Sequence, residues 1–505
     1  MSLADRLHRL RRRAQCLCRS RRTGVVFVAA AFVLSRAIYI GCLGVRFHAK
    51  TLDTYLQFID PLLLRTDLLR SLFYLRDQPP AMNLLVGIVL KALPDCFALA
   101  FHAGFLAMGL AGAIAAFLLA RRLGCGGWLA AIVATLLFVD PGTVFHEHQL
   151  FYTHPVAVLL ILGGLGLHRL LRSGRQRDAF FAFAALALVV LTRGTFHLVF
   201  YLGVLIGAVV VRPRWWRPML VGALVPTLSV GGLYVKQWLL YRGLFIGGPY
   251  REFNLYIMRA KQVGDQLQPL LARGAITGAC DELGPGTDFD GIVRREALAV
   301  PASGIPVRDS TRKSTRASNW HSDAATAVAR LCVHDAHALE AAFPGAYQAA
   351  VEANVARYFR PIVTSPDPEQ GDTRRFRGLI RWVRRTLMLR THDGTSWTIV
   401  LGVVLAALAP VWFLGRWLRI VSRVGWRAAR VPSTACVAAF AAATVLSAAL
   451  VVILYSPGDH DRYRAEVVML GYLVAAATLA ALSRFARLAW RRRIGRVVAA
   501  SGPPL

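Results

Sequence analysis

Acidic residues are scarce in this sequence, with 28 Asp and Glu against 60 Lys and Arg. Charged residues of both signs reach only 17%, whereas 56% are hydrophobic and mean hydropathy is +0.47. So little surface charge over 505 residues excludes a string of ordinary soluble domains and leaves a multi-pass membrane protein. Lysine is rarer still, standing only at positions 50, 91, 236, 261 and 313. The basic excess is therefore almost all arginine, a bias that resembles GC-rich coding more than the choice of a partner. No nucleic-acid fold and no aromatic stacking platform accompanies the basic runs, so a charge of +32 and a pI near 11.1 do not make nucleic acid a partner. No period of 20 to 50 residues recurs, which argues against a repeat array and against the paired halves of a transporter. The first apolar run is followed by no clean small-x-small cleavage site and reads as a retained span rather than a signal peptide.

A bilayer core about 30 Å thick takes roughly 20 apolar residues per helix. Stretches of that kind lie near 24–45, 97–120, 128–145, 154–171, 179–196, 197–211, 218–235, 397–415, 433–455 and 465–483. This predicts an all-α fold with about ten transmembrane helices. Arginine sets the sidedness, because short cytoplasmic loops are enriched in Lys and Arg. With the 1–23 tail inside, Arg121 and Arg122, the Arg169 to Arg177 cluster, Arg212 to Arg217, Arg416 to Arg430 and Arg484 to Arg496 all fall inside as well. Both termini are then cytoplasmic, in the inner (plasma) membrane of a bacterial-type cell. The apolar stretch from Pro80 to Leu93 is short and ends at Pro94, and it reads as a juxtamembrane helix on the outer surface.

The organisation that follows is a basic tail (1–23), a transmembrane module (24–235) with an external loop at 46–96, an external insertion (236–396), further spans (397–483) and a second basic tail (484–505). The acidic residues collect outside the spans. In the insertion, the stretch from Ala302 to Ser322 has almost no apolar periodicity, which predicts helices at the ends and a mobile centre. Cys280 and Cys332 both fall there and are either a disulfide or two free thiols. The run from Arg374 to Arg390 puts Phe376, Leu379, Ile380, Val383 and Leu387 near one face with arginines elsewhere, the pattern of a helix lying among lipid headgroups.

Chemistry concentrates in the external segments. The first loop reads Thr51-Leu-Asp53-Thr-Tyr55-Leu-Gln57-Phe-Ile-Asp60, followed by Arg76-Asp77-Gln78-Pro79-Pro80. A carboxylate just beyond a span can take a proton from an acceptor hydroxyl when held within hydrogen-bond reach. The second loop reads Phe145-His146-Glu147-His148-Gln149-Leu150-Phe151-Tyr152-Thr153-His154-Pro155, and later come Leu191-Thr192-Arg193-Gly194 and Tyr455-Ser-Pro-Gly-Asp459-His460-Asp461-Arg462-Tyr463-Arg464.

In order and sidedness these segments resemble the membrane-embedded GT-C glycosyltransferases, such as protein O-mannosyltransferases and lipid A aminoarabinose transferases. The resemblance covers 24–235 and the chain from 397 onward, with fainter echoes at Lys236-Gln-Trp and Phe359-Arg-Pro361. It implies transfer of a sugar from a polyprenyl-phosphate donor to a cell-envelope glycan, lipid or protein acceptor, on the outer face of the membrane and with inversion. Asp53 takes the place of the catalytic base or acceptor-orienting acid. Many members put an Asp immediately before the Pro of the second loop; His154 stands there, which moves the second acid to Glu147. Tyr55, Gln78, His154, Arg193, His460, Arg462, Tyr463 and Arg464 become substrate-binding residues. The arginines suit the donor phosphate, because a guanidinium binds phosphate oxygens through two donors at once. No cofactor is required; the His146-Glu147-His148 and His154 group could accept a divalent metal, but no metal is predicted. The competing expectations are a lipid or solute transporter and a non-catalytic membrane scaffold.

Overall fold

The computed structural model describes residues 21–243, 247–284, 286–360, 374–386, 395–424, 431–458 and 460–500. The tail arginines before Arg21, Cys16 and Cys18, Asp459, and the last four residues of the 374–390 run lie outside the described residues. The chain is an all-α, multi-pass membrane protein. Seven helices are long and apolar enough to cross a bilayer: Arg21–Cys42, Phe97–Leu123, Thr153–Ser173, Pro213–Tyr241, Trp397–Arg419, Ser433–Tyr455 and Arg462–Leu488. An eighth crossing results if Gly127–Val139 and Pro141–Glu147, bent by 57°, are taken as one broken span. Helices also occupy Gln176–Thr192 and Leu198–Val211, both shorter. Among the described residues no strand forms, only isolated bridges.

Local chemistry sets the breaks. The helix Phe97–Leu123 ends at Gly124, whose φ of 104° suits a residue without a side chain. An Asp-Pro pair starts two helices in the same way. Asp140 accepts a hydrogen bond from the Thr143 N–H at 3.0 Å, Asp60 accepts one from the Leu62 N–H at 3.0 Å, and a proline follows each as the first helical residue. The bend in the broken span is therefore written at Asp140-Pro141.

Thr153–Ser173 is the central helix, with 83% of its apolar window buried. Small residues let neighbours approach it closely: a Cβ on Gly166 would meet the Ala182 Cα at 2.8 Å. The helix Ala81–Ala92, within the Pro80 to Leu93 stretch, is only 12 residues long, about 18 Å, shorter than a bilayer core.

One end of the bundle gathers the arginine-rich helix ends. There Arg212 donates to the Val431 carbonyl at 2.5 Å, and His168 Nε2 lies 3.3 Å from the Ser433 hydroxyl. The other end carries the first loop, the second loop and the 236–396 insertion. The two loops are stitched together: the His48 N–H donates to the His148 carbonyl at 2.8 Å, the Leu150 N–H to the His48 carbonyl at 2.8 Å, and the Thr51 hydroxyl to the Leu150 carbonyl at 2.7 Å.

The insertion has small cores of its own. One joins Tyr256, Leu270, Ile276 and Leu339 around a Cys280–Cys332 disulfide, which closes a sequence separation of 52. Another surrounds Trp320, with Tyr250 stacked at 5.7 Å and Phe289 edge-on at 5.4 Å. The expectation of a mobile centre at Ala302 to Ser322 is corrected. The stretch forms a short helix at Pro306–Asp309 and a turn closed by an isolated Arg312–Ser318 bridge, in which the Lys313 N–H donates to the Ala317 carbonyl at 2.8 Å, and it docks on the first loop. Hydrogen bonds to the first loop together with buried Ile305, Val307 and Trp320 fix it, without a regular apolar stripe.

The helix Arg374–Thr386 buries Phe376 and Ile380 against Tyr39, Val45 and Val144, and leaves Arg375, Arg377 and Arg381 exposed. The helix is two-faced as the spacing predicts, but the expectation that it lies among lipid headgroups is corrected for the described residues: its apolar face packs on protein at the bend of the broken span.

Candidate functional site

The site lies at the loop end, where the first loop meets the start of the central helix and the start of the last. Tyr152, at the entry to the central helix, donates its hydroxyl hydrogen to Gln57 of the first loop and accepts one from Arg193. Arg193 follows the Gln176–Thr192 helix and is buried, with its guanidinium sandwiched between the rings of Tyr152 and Tyr463 at 4.3 and 4.1 Å. Its Nε lies 3.0 Å from a carboxylate oxygen of Glu466, an ion pair with geometry outside that of a hydrogen bond. Arg462, one turn earlier on the last helix, donates to the Tyr55 hydroxyl and lies over the rings of Phe151 at 4.8 Å and Tyr55 at 5.4 Å. Arg193 is fully enclosed, whereas Arg462 is half-buried.

The insertion closes over the same loop. Buried Lys313 donates to the Tyr55 carbonyl at 2.7 Å, the Ser314 N–H to Asp60 at 2.7 Å, and the Thr315 hydroxyl to the Asp53 carbonyl at 2.7 Å. An ammonium therefore sits within electrostatic reach of both loop acids. Burial lowers the Lys313 pKa to about 8 against the pull of Asp60 and Asp53. Asp53 is half-buried, and its pKa is raised by burial despite Lys313 and Lys50. Such a carboxylate binds a proton more readily than a free one, as a general base requires.

Asp77 is a further acid of the first loop. It is 1% exposed, and neither carboxylate oxygen has a hydrogen-bond partner among the described residues. Burial pushes its pKa up to about 7, with Arg76 opposing and Glu252 and Asp323 reinforcing. The loop around it is held from the neighbouring span: Lys236 donates to the Leu75 carbonyl at 2.7 Å and Gln237 to the Arg76 carbonyl at 2.9 Å. Tyr250 connects the two acids' surroundings. Its hydroxyl donates to the Leu56 carbonyl at 2.9 Å, and its pKa is raised by burial and then by Asp77, Tyr55 and Tyr152.

The remaining expected residues divide. Glu147 is fully buried and held by Arg36 of the first span through two hydrogen bonds, at 2.8 and 2.7 Å; Arg36 also donates to the Phe138 carbonyl at 2.6 Å. His154 is buried 3.9 Å from the same carboxylate. Glu147 and His154 thus belong to a polar cluster that ties the first span to the broken span. Arg464 is buried and donates to the Tyr358 carbonyl, fastening the insertion to the last helix. His460 and Gln78 are buried too. The structure brings together Tyr55, Arg193, Arg462 and Tyr463, with Asp53 on the same loop segment.

Sequence reasoning missed Glu466, Lys313 and Asp77. Glu466 corrects the expectation that acids collect outside spans: it lies within Arg462–Leu488, and a lone acid in a span calls for a partner. Lys313 had one signal, lysine's rarity. Asp77 stood inside a motif read for its Gln78. Among the described residues no group of three or more His, Cys, Asp or Glu side chains is arranged to hold a metal ion, the second-loop histidines included. Comparison of the chain with protein-family models, curated proteins and solved structures finds no match.

Proposed function

We propose that the protein is a membrane glycosyltransferase of GT-C type, which moves a sugar from a polyprenyl-phosphate donor to a cell-envelope acceptor at the loop end of the bundle. The observation that carries this is the meeting of Arg462, Arg193 and Tyr463 with the Asp53–Tyr55 segment, residues more than 400 positions apart at the extremes. A phosphate-bearing donor and a hydroxyl acceptor must meet at reaction distance, so their ligands must share one place. The topology that goes with this is ten crossings, with Gln176–Thr192 and Leu198–Val211 as short ones, and both termini in the cytoplasm.

The roles follow from the surroundings. Arg462 is the accessible guanidinium for the donor phosphate, and as the phosphate leaves with its charge, two donors in a fixed fork stabilise it. Arg193 is already neutralised by Glu466 and positions Tyr152 and Tyr463. Asp53 accepts the acceptor's proton. Glu147, committed to Arg36, holds the fold rather than the chemistry.

The test measures transfer from polyprenyl-phosphate sugars in membranes that contain equal amounts of wild type, Asp53→Asn and Arg462→Ala. Asp53→Asn is expected to lower kcat about 100-fold or more with donor binding intact, since general-base catalysis supplies about 10²–10⁴. Arg462→Ala is expected to weaken donor binding. Undiminished transfer by Asp53→Asn removes its role as base.

A further inference from the structure

The arginine-rich end holds a cavity of about 420 Å³ whose wall includes Arg21, Arg122, Arg169, Arg172 and Arg177. They come from four helix ends: the start of the first span, the end of Phe97–Leu123, the end of Thr153–Ser173 and the start of Gln176–Thr192. Arg169 and Arg172 are three residues apart and so share one helix face. None of the five guanidinium groups has an ion pair or side-chain hydrogen bond among the described residues. The single acid in the wall, Asp178, accepts the hydroxyl hydrogen of Ser173.

Keeping arginine on one side of a membrane requires only that it lie in the connecting segments. It does not require five of them around one hollow, where like charges repel and raise the local potential. A second observation points to a ligand. His168 also forms part of the wall and is 2% exposed; its Nε2 faces Ser433, while its Nδ1 has no hydrogen-bond partner among the described residues. Guanidinium forks match phosphate oxygens, and a volume of this size lies in the usual range of ligand sites, about 300–1,000 Å³.

We infer that this cavity binds a phosphate-bearing anion, either the phosphomonoester headgroup of a lipid or a free oligophosphate. The anion neutralises the cluster and joins the four helix ends, so it raises thermal stability as any ligand of the native state does. The site is separate from the loop-end cluster, at the opposite end of the bundle.

The test uses the full-length protein in dodecyl maltoside. Dioleoyl phosphatidic acid, dioleoyl phosphatidylcholine and inorganic pyrophosphate are titrated in separate arms, with bound ligand read by native mass spectrometry and Tm by intrinsic fluorescence. Wild type is expected to bind phosphatidic acid or pyrophosphate at least tenfold more tightly than phosphatidylcholine, with a rise in Tm. The double variant Arg169→Ala/Arg172→Ala is expected to weaken this at least tenfold, and Arg375→Ala/Arg377→Ala, altered at the other end, to leave it unchanged. Arg177→Gln changes only an exposed side chain and is expected to weaken binding several-fold even if the double variant misfolds. Phosphatidic acid alone identifies a lipid headgroup, pyrophosphate alone a soluble anion, and either upholds the site. Equal binding of phosphatidic acid and phosphatidylcholine with no binding of pyrophosphate, or affinities in Arg177→Gln equal to wild type, would overturn it.

Discussion

The two ends of the bundle use the same residue in opposite ways. At the loop end the buried arginines are each committed: Arg36 to Glu147, Arg193 to Glu466, and Arg464 to the Tyr358 carbonyl. At the other end five arginines face one cavity with a single acid among them. Burial accounts for the difference. An ion enclosed by protein must be paired or it destabilises the fold, whereas one at a rim stays hydrated and keeps its valence for a ligand. The contrast separates arginines enclosed with a partner from arginines at a rim, and half-buried Arg462, which donates to the Tyr55 hydroxyl, stands between the two at the loop end.

The largest expected effect comes from breaking the built pairs. Glu466→Ala or Glu147→Ala leaves a buried guanidinium unpaired and is expected to cost about 3–5 kcal/mol, seen as a large fall in Tm or loss of folded protein. A Glu147→Ala variant of normal stability that lacked only activity would return Glu147 to the chemistry. Next is the insertion's disulfide. Cys280→Ser/Cys332→Ser is expected to cost about 3–4 kcal/mol from the entropy of a 52-residue closure, and to open that lobe to protease before the bundle.

Asp77 gives an effect of similar or smaller size with a defined sign. Its folded pKa, about 7, stands above the value of about 3.9 for a free aspartate. The protonated form is the one the fold favours, so the stability it contributes is full below pH 4 and is lost as pH rises through 7. Asp77→Asn is therefore expected to match wild type near pH 4 and to exceed it in Tm at pH 8. Equal pH profiles would show that Asp77 is solvated. The smallest effect belongs to the cavity arginines without ligand. Arg172→Ala is expected to change stability by less than about 1 kcal/mol, with any change being a gain from relieved repulsion.

Much of this architecture is legible from the chain. Every apolar stretch read as a span is helical, because a bilayer-length run has few other solutions, yet only seven are long and apolar enough to cross as single helices and 128–145 breaks into two. The alternation of arginine-rich connections foretells which helix ends gather, and the spacing of Phe376 and Ile380 foretells the face that docks. The site is legible in part. Tyr55, Arg193, Arg462 and Tyr463 meet as the order of motifs suggests, yet their partners are hidden. Arg36 lies 111 residues from Glu147, and nothing periodic connects them. Lys313 reaches Tyr55 from a stretch without a regular apolar stripe, since the contacts that fix it are distant in sequence. Asp77 looks like any loop acid until its burial is seen.

The most direct test of the central claim is the affinity of the purified protein for a polyprenyl phosphate, compared between wild type and Arg462→Gln, with Tm recorded for both. On the proposed function Arg462 binds the donor phosphate, so at least a tenfold loss of affinity is expected with Tm nearly unchanged. Unchanged affinity in Arg462→Gln, or a loss explained by unfolding, would contradict the account.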